Sequence, residues 1–171
     1  MTPIFAVILG IVFVFAITAL TGAPYVPSFK SELKIAFKEL YPLSDKDFIV
    51  DLGSGDGVVL KVASSFGASG VGYEINPFLV FISRIRLRRH KKFSVREENL
   101  FKAHFPDDTT IVYIFGEARD IKKMANHVQH EANRLNKKLY IISHGFQIPD
   151  MKPEKNVRAY FLYKISPKAK D

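Results

Sequence analysis

The chain contains no cysteine among its 171 residues. A disulfide framework and a thiolate metal site are therefore both excluded. His127 and His130 lie three residues apart on a predicted helix, but no third ligand lies near them in the sequence, and no metal site is predicted. Internal repeats and low-complexity tracts are also absent. The length is that of one domain with a short extra segment.

Charged side chains are absent from residues 3–23, whose apolar core runs from Ile4 to Leu20. About 20 apolar helical residues span the ~30 Å hydrocarbon core of a bilayer. A cleavable signal peptide, cut after residues 21–23, is the alternative. However, no Lys or Arg precedes the run, which also exceeds the apolar segment of about 7 to 15 residues in signal peptides. We therefore expect residues 1–24 to be a retained transmembrane anchor and residues 25–171 to form the domain.

Positive charge follows this apolar run, at Lys30, Lys34 and Lys38, and does not precede it. Basic residues next to a membrane span stay on the cytoplasmic side. The pattern therefore predicts a single-pass protein whose domain lies in the cytoplasm, or in the matrix if the source is mitochondrial.

A glycine-rich turn lies between two predicted elements in the sequence FIVDLGSGDG. Residues 48–50 form a short apolar run typical of a buried parallel strand, which Asp51 ends, and residues 58–66 are the helix that follows the turn. Residues 70–73 are a second strand, and Glu74 stands at its end. An acid in this place accepts the hydroxyls of a ribose.

The turn lacks the third glycine of a dinucleotide-binding site, because that position is Val58. The acid Asp51 would also repel a pyrophosphate, whereas it suits a ligand with an ammonium group. S-adenosylmethionine has an ammonium group, a ribose and no phosphate. DLGSGDG followed by GYEIN closely resembles motifs I and II of the class I S-adenosylmethionine-dependent methyltransferases. The resemblance implies an α/β, Rossmann-like fold with a mostly parallel sheet, and it implies the following cofactor-binding residues: Asp51, Gly53, Ser54, Gly55, Gly57, Glu74 and, at the adenine, Asn99 after strand three.

The next predicted helix covers residues 77–92, with Pro77 in its first turn. We expect its large apolar side chains to face the sheet: Phe78, Phe81, Ile82 and Ile85. Its far end carries a basic cluster, which we define as Arg84, Arg86, Arg88, Arg89, Lys91 and Lys92. The cluster is compatible with a solvated helix end or with contact to anionic lipid headgroups. Nucleic acid is not expected, since no aromatic residue interrupts the cluster to stack on bases.

Residues 110–115 form strand four, and the loop after it meets the substrate in class I methyltransferases. The Asn-Pro-Pro-Tyr and Asp-Pro-Pro-Tyr sequences of enzymes that act on base or glutamine nitrogens are lacking there. The candidate substrate cleft consists of Tyr25, Phe115, Glu117 and His144. His144 follows strand five, and an ordinary loop histidine is its other interpretation. Residues 25–28 are either a plain linker or a segment that folds over the cofactor.

The order of an apolar anchor, YVPS, DLGSGDG, GYEINPFLV, ENLF and SHGFQIP resembles the small, often membrane-anchored seven-strand protein-lysine methyltransferases. That resemblance implies a lysine of a membrane-associated protein as the methyl acceptor. FGEAR departs from the more apolar loop of such relatives. A methyltransferase for a small molecule, lipid or quinone is the alternative, and a non-enzymatic membrane protein with a degenerate fold is another. No catalytic residue is assigned, because desolvation alone lowers the pKa of a lysine. A final antiparallel edge strand is expected over residues 157–165.

Overall fold

A computed structural model of the chain describes residues 5, 29–116 and 118–168. The apolar run of residues 3–23, apart from Phe5, lies outside these ranges, as do Tyr25 and Glu117. No helix within the described ranges has both the length and the apolar character needed to span a bilayer.

Seven strands form one sheet in the order β3-β2-β1-β4-β5-β7-β6. The strands are β1 Phe48–Leu52, β2 Ser69–Glu74, β3 Phe93–Glu97, β4 Ile111–Phe115, β5 Leu139–His144, β6 Lys155–Val157 and β7 Tyr160–Ile165. The helices are α1 Lys30–Ile35, α2 Val58–Ser64, α3 Pro77–Leu87 and α4 Ala118–Leu135. The helix predicted over residues 29–41 is α-helical as far as Ile35 and continues as a π-helical turn, Ala36–Leu40.

The first five strands are parallel, and they are covered on both faces. The sequences FIVDL of β1 and IVYIF of β4 are nearly continuous apolar runs, as expected for central strands of such a sheet. α1, the π-helical turn, α2 and α3 pack on one face. α4 packs on the other. The carboxyl ends of the parallel strands therefore meet at one edge, where ligands bind in open α/β sheets.

The C-terminal part of the sheet is antiparallel, as predicted, but it contains two strands. β7 pairs with β5, and β6 pairs with β7 at the edge. The turn between them includes Arg158, whose φ is 54°. The predicted single strand over residues 157–165 thus includes this turn, and its last part brings Tyr160 next to β5.

The orientation predicted for α3 is wrong. Phe78, Phe81 and Ile85 are exposed, and the buried positions are Val80, Ser83 and Leu87. The reason is a close approach: a Cβ on Gly57 would lie 2.8 Å from the Cβ of Ser83. Only the narrow stripe of the helix fits there, so the bulky stripe points outward.

α3 is also shorter than the predicted helix over residues 77–92. It begins at Pro77 as predicted, with the Asn76 side chain accepting hydrogen bonds from the Phe78 and Leu79 amides. It ends at Leu87, and the His90 amide donates to the Leu87 carbonyl in a turn that leads to β3. The last residues of the basic cluster therefore lie in this turn, after the helix.

A buried carboxylate on α4 ties the helix to the segment before β4. Glu131 is fully buried and accepts hydrogen bonds from the Phe105 amide, at 2.7 Å, and from the Arg134 guanidinium, at 2.7 Å. Burial alone would raise the pKa of Glu131, but the hydrogen bonds from Arg134 and Phe105 outweigh it and lower the pKa to about 2.

Glu131→Gln is expected to reduce the free energy of unfolding at pH 7 by about 1.5–3 kcal/mol, the usual contribution of hydrogen bonds to a charged group. A depressed carboxyl pKa stabilises the fold above the ordinary glutamate pKa, and this contribution is lost as the pH falls toward about 2. Urea unfolding at pH 7 and at low pH measures the difference, which should shrink at low pH. Asp120→Asn, on the same helix with a more exposed ion pair, is the control and should change stability little.

Candidate functional site

The glycine-rich turn joins β1 to α2 and is fixed by backbone hydrogen bonds. The amides of Gly53 and Ser54 both donate to the Tyr73 carbonyl, at 2.9 and 3.0 Å. Gly53, Gly55 and Gly57 have φ values of 80°, 52° and 76°, in the region that glycine adopts without strain. The turn therefore stays close to the end of β2.

Glu74 connects this turn to the start of α3. One carboxylate oxygen accepts from the Gly55 amide at 2.9 Å, and the other accepts from the Asn76 amide at 2.8 Å. A carboxylate has about four acceptor positions. Two positions therefore remain for hydroxyl donors such as those of a ribose. The spacing of the sequence motifs did not indicate that Glu74 also holds the turn.

Asp51 is the most unusual acid of the site. Its side chain is 2% exposed, and one carboxylate oxygen has no hydrogen-bond partner among the described residues. Burial raises the pKa of Asp51 well above its usual value, and the charges of Glu74 and Asp56 add to the effect. The Ser54 hydroxyl is similarly buried and without a partner in the described part of the chain. Buried polar atoms are normally hydrogen-bonded, so this pair fits a polar ligand that donates hydrogen bonds.

Asn99 follows β3 at the same edge of the sheet. The Glu98 amide donates to the Glu74 carbonyl at 3.0 Å, which holds the two strand ends together. The Asn99 side-chain oxygen accepts from the Phe101 amide at 2.9 Å, and the residue is exposed.

Two exposed apolar side chains at this edge, Ile75 and Phe101, were not predicted from the sequence. Each stands one or two residues after a candidate polar contact, Glu74 or Asn99. An apolar side chain directly after an acid at the end of a strand is the signal that could have indicated them. Their exposure fits a flat apolar group such as a purine.

Phe115 and His144 come together as predicted for the candidate substrate cleft. They are register partners at the ends of β4 and β5, and their ring centroids are 4.4 Å apart. His144 is the last residue of β5. Two further rings were missed: Tyr160 stacks on His144 at 4.3 Å, and the Tyr113 hydroxyl lies 3.1 Å from His144 Nδ1. We call these four side chains the aromatic cluster.

The aromatic cluster is next to the cofactor candidates. Asp51 and Tyr113 are register partners on β1 and β4, so their side chains share one face of the sheet. Burial lowers the pKa of His144, although the charge of Glu32 on α1 raises it in part. The imidazole is therefore neutral at pH 7. The site thus combines a buried acid, a glycine-rich turn and an uncharged aromatic surface.

Comparison with known families identifies this arrangement. The family described as ANTKMT methyltransferase domain matches residues 51–155, a range that begins at Asp51 and includes Glu74, Asn99 and His144. The chain belongs to this family. The class I methyltransferase resemblance of DLGSGDG and GYEIN is thereby confirmed.

Members of this ANTKMT methyltransferase family have similar sequences. The ATP synthase C-subunit lysine N-methyltransferase of Xenopus laevis is 34% identical over 136 residues, which are 77% of this chain and 57% of that protein. The human protein of the same name is 30% identical over 134 residues, 77% of this chain and 55% of that one. The chain thus spans little more than half the length of the curated relatives it matches.

Solved structures agree with the fold. An RNA methyltransferase from Salinibacter ruber, in complex with S-adenosyl-L-homocysteine, has a TM-score of 0.71 and 25% identity, and covers 85% of this chain and 97% of that one. A geranyl diphosphate methyltransferase in complex with SAM, with a TM-score of 0.52 and 16% identity, shares the fold over 67% of this chain and 48% of that one.

Proposed function

We propose that this ANTKMT family protein uses S-adenosylmethionine to methylate a lysine side chain of a protein at or near a membrane. The observation that carries the proposal is the buried Asp51 carboxylate beneath the glycine-rich turn, with Glu74 accepting at its rim. A zwitterionic amino-acid end and a ribose would satisfy these two acids at the same time.

Each part of the cofactor has a matching group in the site. Asp51 and Ser54 would bind the methionine ammonium and carboxylate end together with the amides of the turn, Glu74 would accept from the ribose hydroxyls, and Asn99 would contact the adenine. When bound, S-adenosylmethionine supplies a methyl group on a positively charged sulfur. The Salinibacter ruber neighbour supports this assignment, since it holds the demethylated form of the same molecule.

The aromatic cluster is the proposed surface for the lysine. Its rings would pack against the alkyl chain, and the neutral His144 would not repel an approaching ammonium. An apolar environment favours the uncharged amine, which is the form that attacks a methyl group. Holding the amine in line with the methyl group contributes up to ~7–11 kcal/mol in favourable cases. We assign Phe115, His144, Tyr25 and Glu117 to this cleft.

The apolar run of residues 3–23 is the basis for a membrane location. We propose that it anchors the chain as a single span, with the domain on the cytoplasmic or matrix side, because positive charge follows the run. The names of the relatives support a protein of the same kind as substrate, since they are lysine methyltransferases of the ATP synthase C-subunit.

The test is incubation of the full chain in lipid vesicles with methyl-labelled S-adenosylmethionine and a membrane extract. We expect the label on protein lysine. Label in a lipid or quinone would support the small-molecule alternative instead. Total RNA belongs in the same reaction, because the Salinibacter ruber neighbour is an RNA methyltransferase and this chain has a net charge of +8.

Glu74→Ala is expected to weaken S-adenosylmethionine binding roughly 10- to 150-fold, the equivalent of about 1.5–3 kcal/mol for hydrogen bonds to a charged group. Calorimetry measures the affinity, and NAD should not bind appreciably. Glu97→Ala is the matched control, since Glu97 is the register partner of Glu74 on β3 but is exposed. Unchanged binding by Glu74→Ala would refute the ribose assignment.

A further inference from the structure

α3 is apolar on two opposite sides. Val80 and Leu87 are buried against the sheet. Phe78, Phe81 and Ile85 follow at spacings of three and four residues, so they form one stripe on the opposite side. Their exposed fractions are 49%, 61% and 50%. Single exposed apolar residues are normal, but a continuous stripe of large ones indicates a surface that something covers.

The charge beside this stripe has one sign. Residues 77–92 contain no Asp or Glu. Three members of the basic cluster are held by the protein: Arg84 donates to the Val95 carbonyl, Arg86 pairs with Asp56, and Lys92 donates to the Gly67 carbonyl.

The other three members of the cluster are exposed and have no hydrogen-bond or ion-pair partner within residues 29–116 and 118–168, and they are Arg88, Arg89 and Lys91. A groove between the end of α3 and β3 is lined by Arg84, Arg88, His90 and Lys91. These cations are therefore available to an anion, and the groove offers a place for one.

We propose that α3 lies in the plane of an anionic lipid surface, with Phe78, Phe81 and Ile85 in the bilayer interface and Arg88, Arg89 and Lys91 on lipid phosphates. A helix with a narrow large apolar stripe and flanking cations binds at the boundary of headgroups and acyl chains. A second copy fits less well, because it carries the same net charge of +8 and the same cluster.

This contact would set the orientation of the site. α3 begins at Pro77, three residues after Glu74, so its first turn lies at the carboxyl edge of the sheet. A helix held on the membrane therefore keeps that edge beside the bilayer. The consequence for reaching a membrane protein substrate rests on the proposed function, whereas the lipid contact itself does not.

The absence of native cysteine allows a single label to report the contact. The full chain carrying Phe81→Cys is labelled with an environment-sensitive fluorophore and placed in phosphatidylcholine vesicles with or without phosphatidylglycerol. With the anionic lipid, we expect a blue shift of emission and quenching by a nitroxide on the upper acyl chain. The same label at Asn126→Cys, an exposed position of α4 on the other side of the sheet, should stay water-exposed. Ile85→Cys provides a second position on the stripe.

Charge removal separates this contact from other ways of covering α3. Each cation near an anionic surface changes the docked population about fivefold, so Arg88→Gln, Arg89→Gln and Lys91→Gln together should reduce it roughly 100-fold. A blue shift in detergent without nitroxide quenching would mean that the apolar run or a second copy covers the stripe, and would overturn the proposal. Emission from a water-exposed label in all vesicles would overturn it as well. Methyl transfer is measured separately in the same vesicles, so a loss of activity does not affect this result.

Discussion

An Asp51→Asn variant is expected to bind S-adenosylmethionine roughly 30- to 5000-fold more weakly while unfolding at a higher denaturant concentration than the wild type. The loss of affinity follows from the proposed pairing of the buried carboxylate with the methionine ammonium. Removing one partner of a buried charge pair costs about 2–5 kcal/mol.

The gain in stability has a separate cause. Asp51 is buried with an unpartnered oxygen, near the charges of Glu74 and Asp56, and these effects raise its pKa well above the ordinary value. A carboxyl whose pKa is raised by folding destabilises the folded state when it ionises. Asparagine at this position retains the shape and removes the charge, so the free protein should become more stable.

The two effects have opposite pH dependences. The stability of the wild type should fall as the pH rises above the ordinary aspartate pKa of about 3.9, because the folded protein releases its proton later than the unfolded chain. Cofactor affinity should rise as the pH passes through the raised pKa, because the ammonium pairs with the carboxylate. Asp51→Asn should lack both dependences.

Urea unfolding and calorimetry with S-adenosylmethionine, each over a range of pH, measure these quantities. Asp45→Asn is the control, since Asp45 is exposed and distant in sequence from the turn, and it should change neither. A variant that is less stable than the wild type, or that binds the cofactor equally well, would contradict the role assigned to Asp51.

The cofactor side of the site could be predicted because its determinants are local. A strand, three glycines and an acid after the next strand form a continuous segment, residues 48–74, and the structure retains their order. The orphaned oxygen of Asp51 could not be predicted, because it depends on β1 lying between β2 and β4.

The substrate side was predicted only in part because its residues meet through strand pairing. Phe115 and His144 stand at recognisable strand ends. Tyr160 reaches His144 through the antiparallel pairing of β5 with β7, and the sequence suggested neither the turn before Tyr160 nor its register. A residue on a distant strand carries no local signal of its partner.

The exposed side of α3 shows how close packing overrides a hydrophobic pattern. The large residues at helical spacing predicted the buried side, yet a serine is buried there. The contact of Ser83 with Gly57 decides the orientation, and it depends on two segments that are separated in sequence. The unexpected exposure of Phe78 and Phe81 is also the observation that indicates a lipid contact.

Removing residues 1–24 is expected to reduce methylation of a membrane protein target about 10²- to 10⁴-fold, the range by which linking raises effective affinity. Cofactor binding should be unchanged, because the glycine-rich turn and both acids lie within residues 51–74. A soluble lysine peptide should be methylated at the same rate by both forms, since it gains nothing from the anchor. Carbonate extraction of the full chain checks the anchor itself, and a mature protein that begins just after Ala23 would show a signal peptide instead.

The control is a chain in which an unrelated membrane-spanning helix of the same length replaces residues 1–24, and it should restore the rate. Mass spectrometry of membrane proteins from cells with and without the gene measures lysine methylation directly. Equal methylation of the membrane target by the full and shortened chains would show that the apolar run does not deliver the site to its substrate. The basic residues and the exposed stripe of α3 would then be sufficient for membrane contact, a result that the α3 charge variants distinguish.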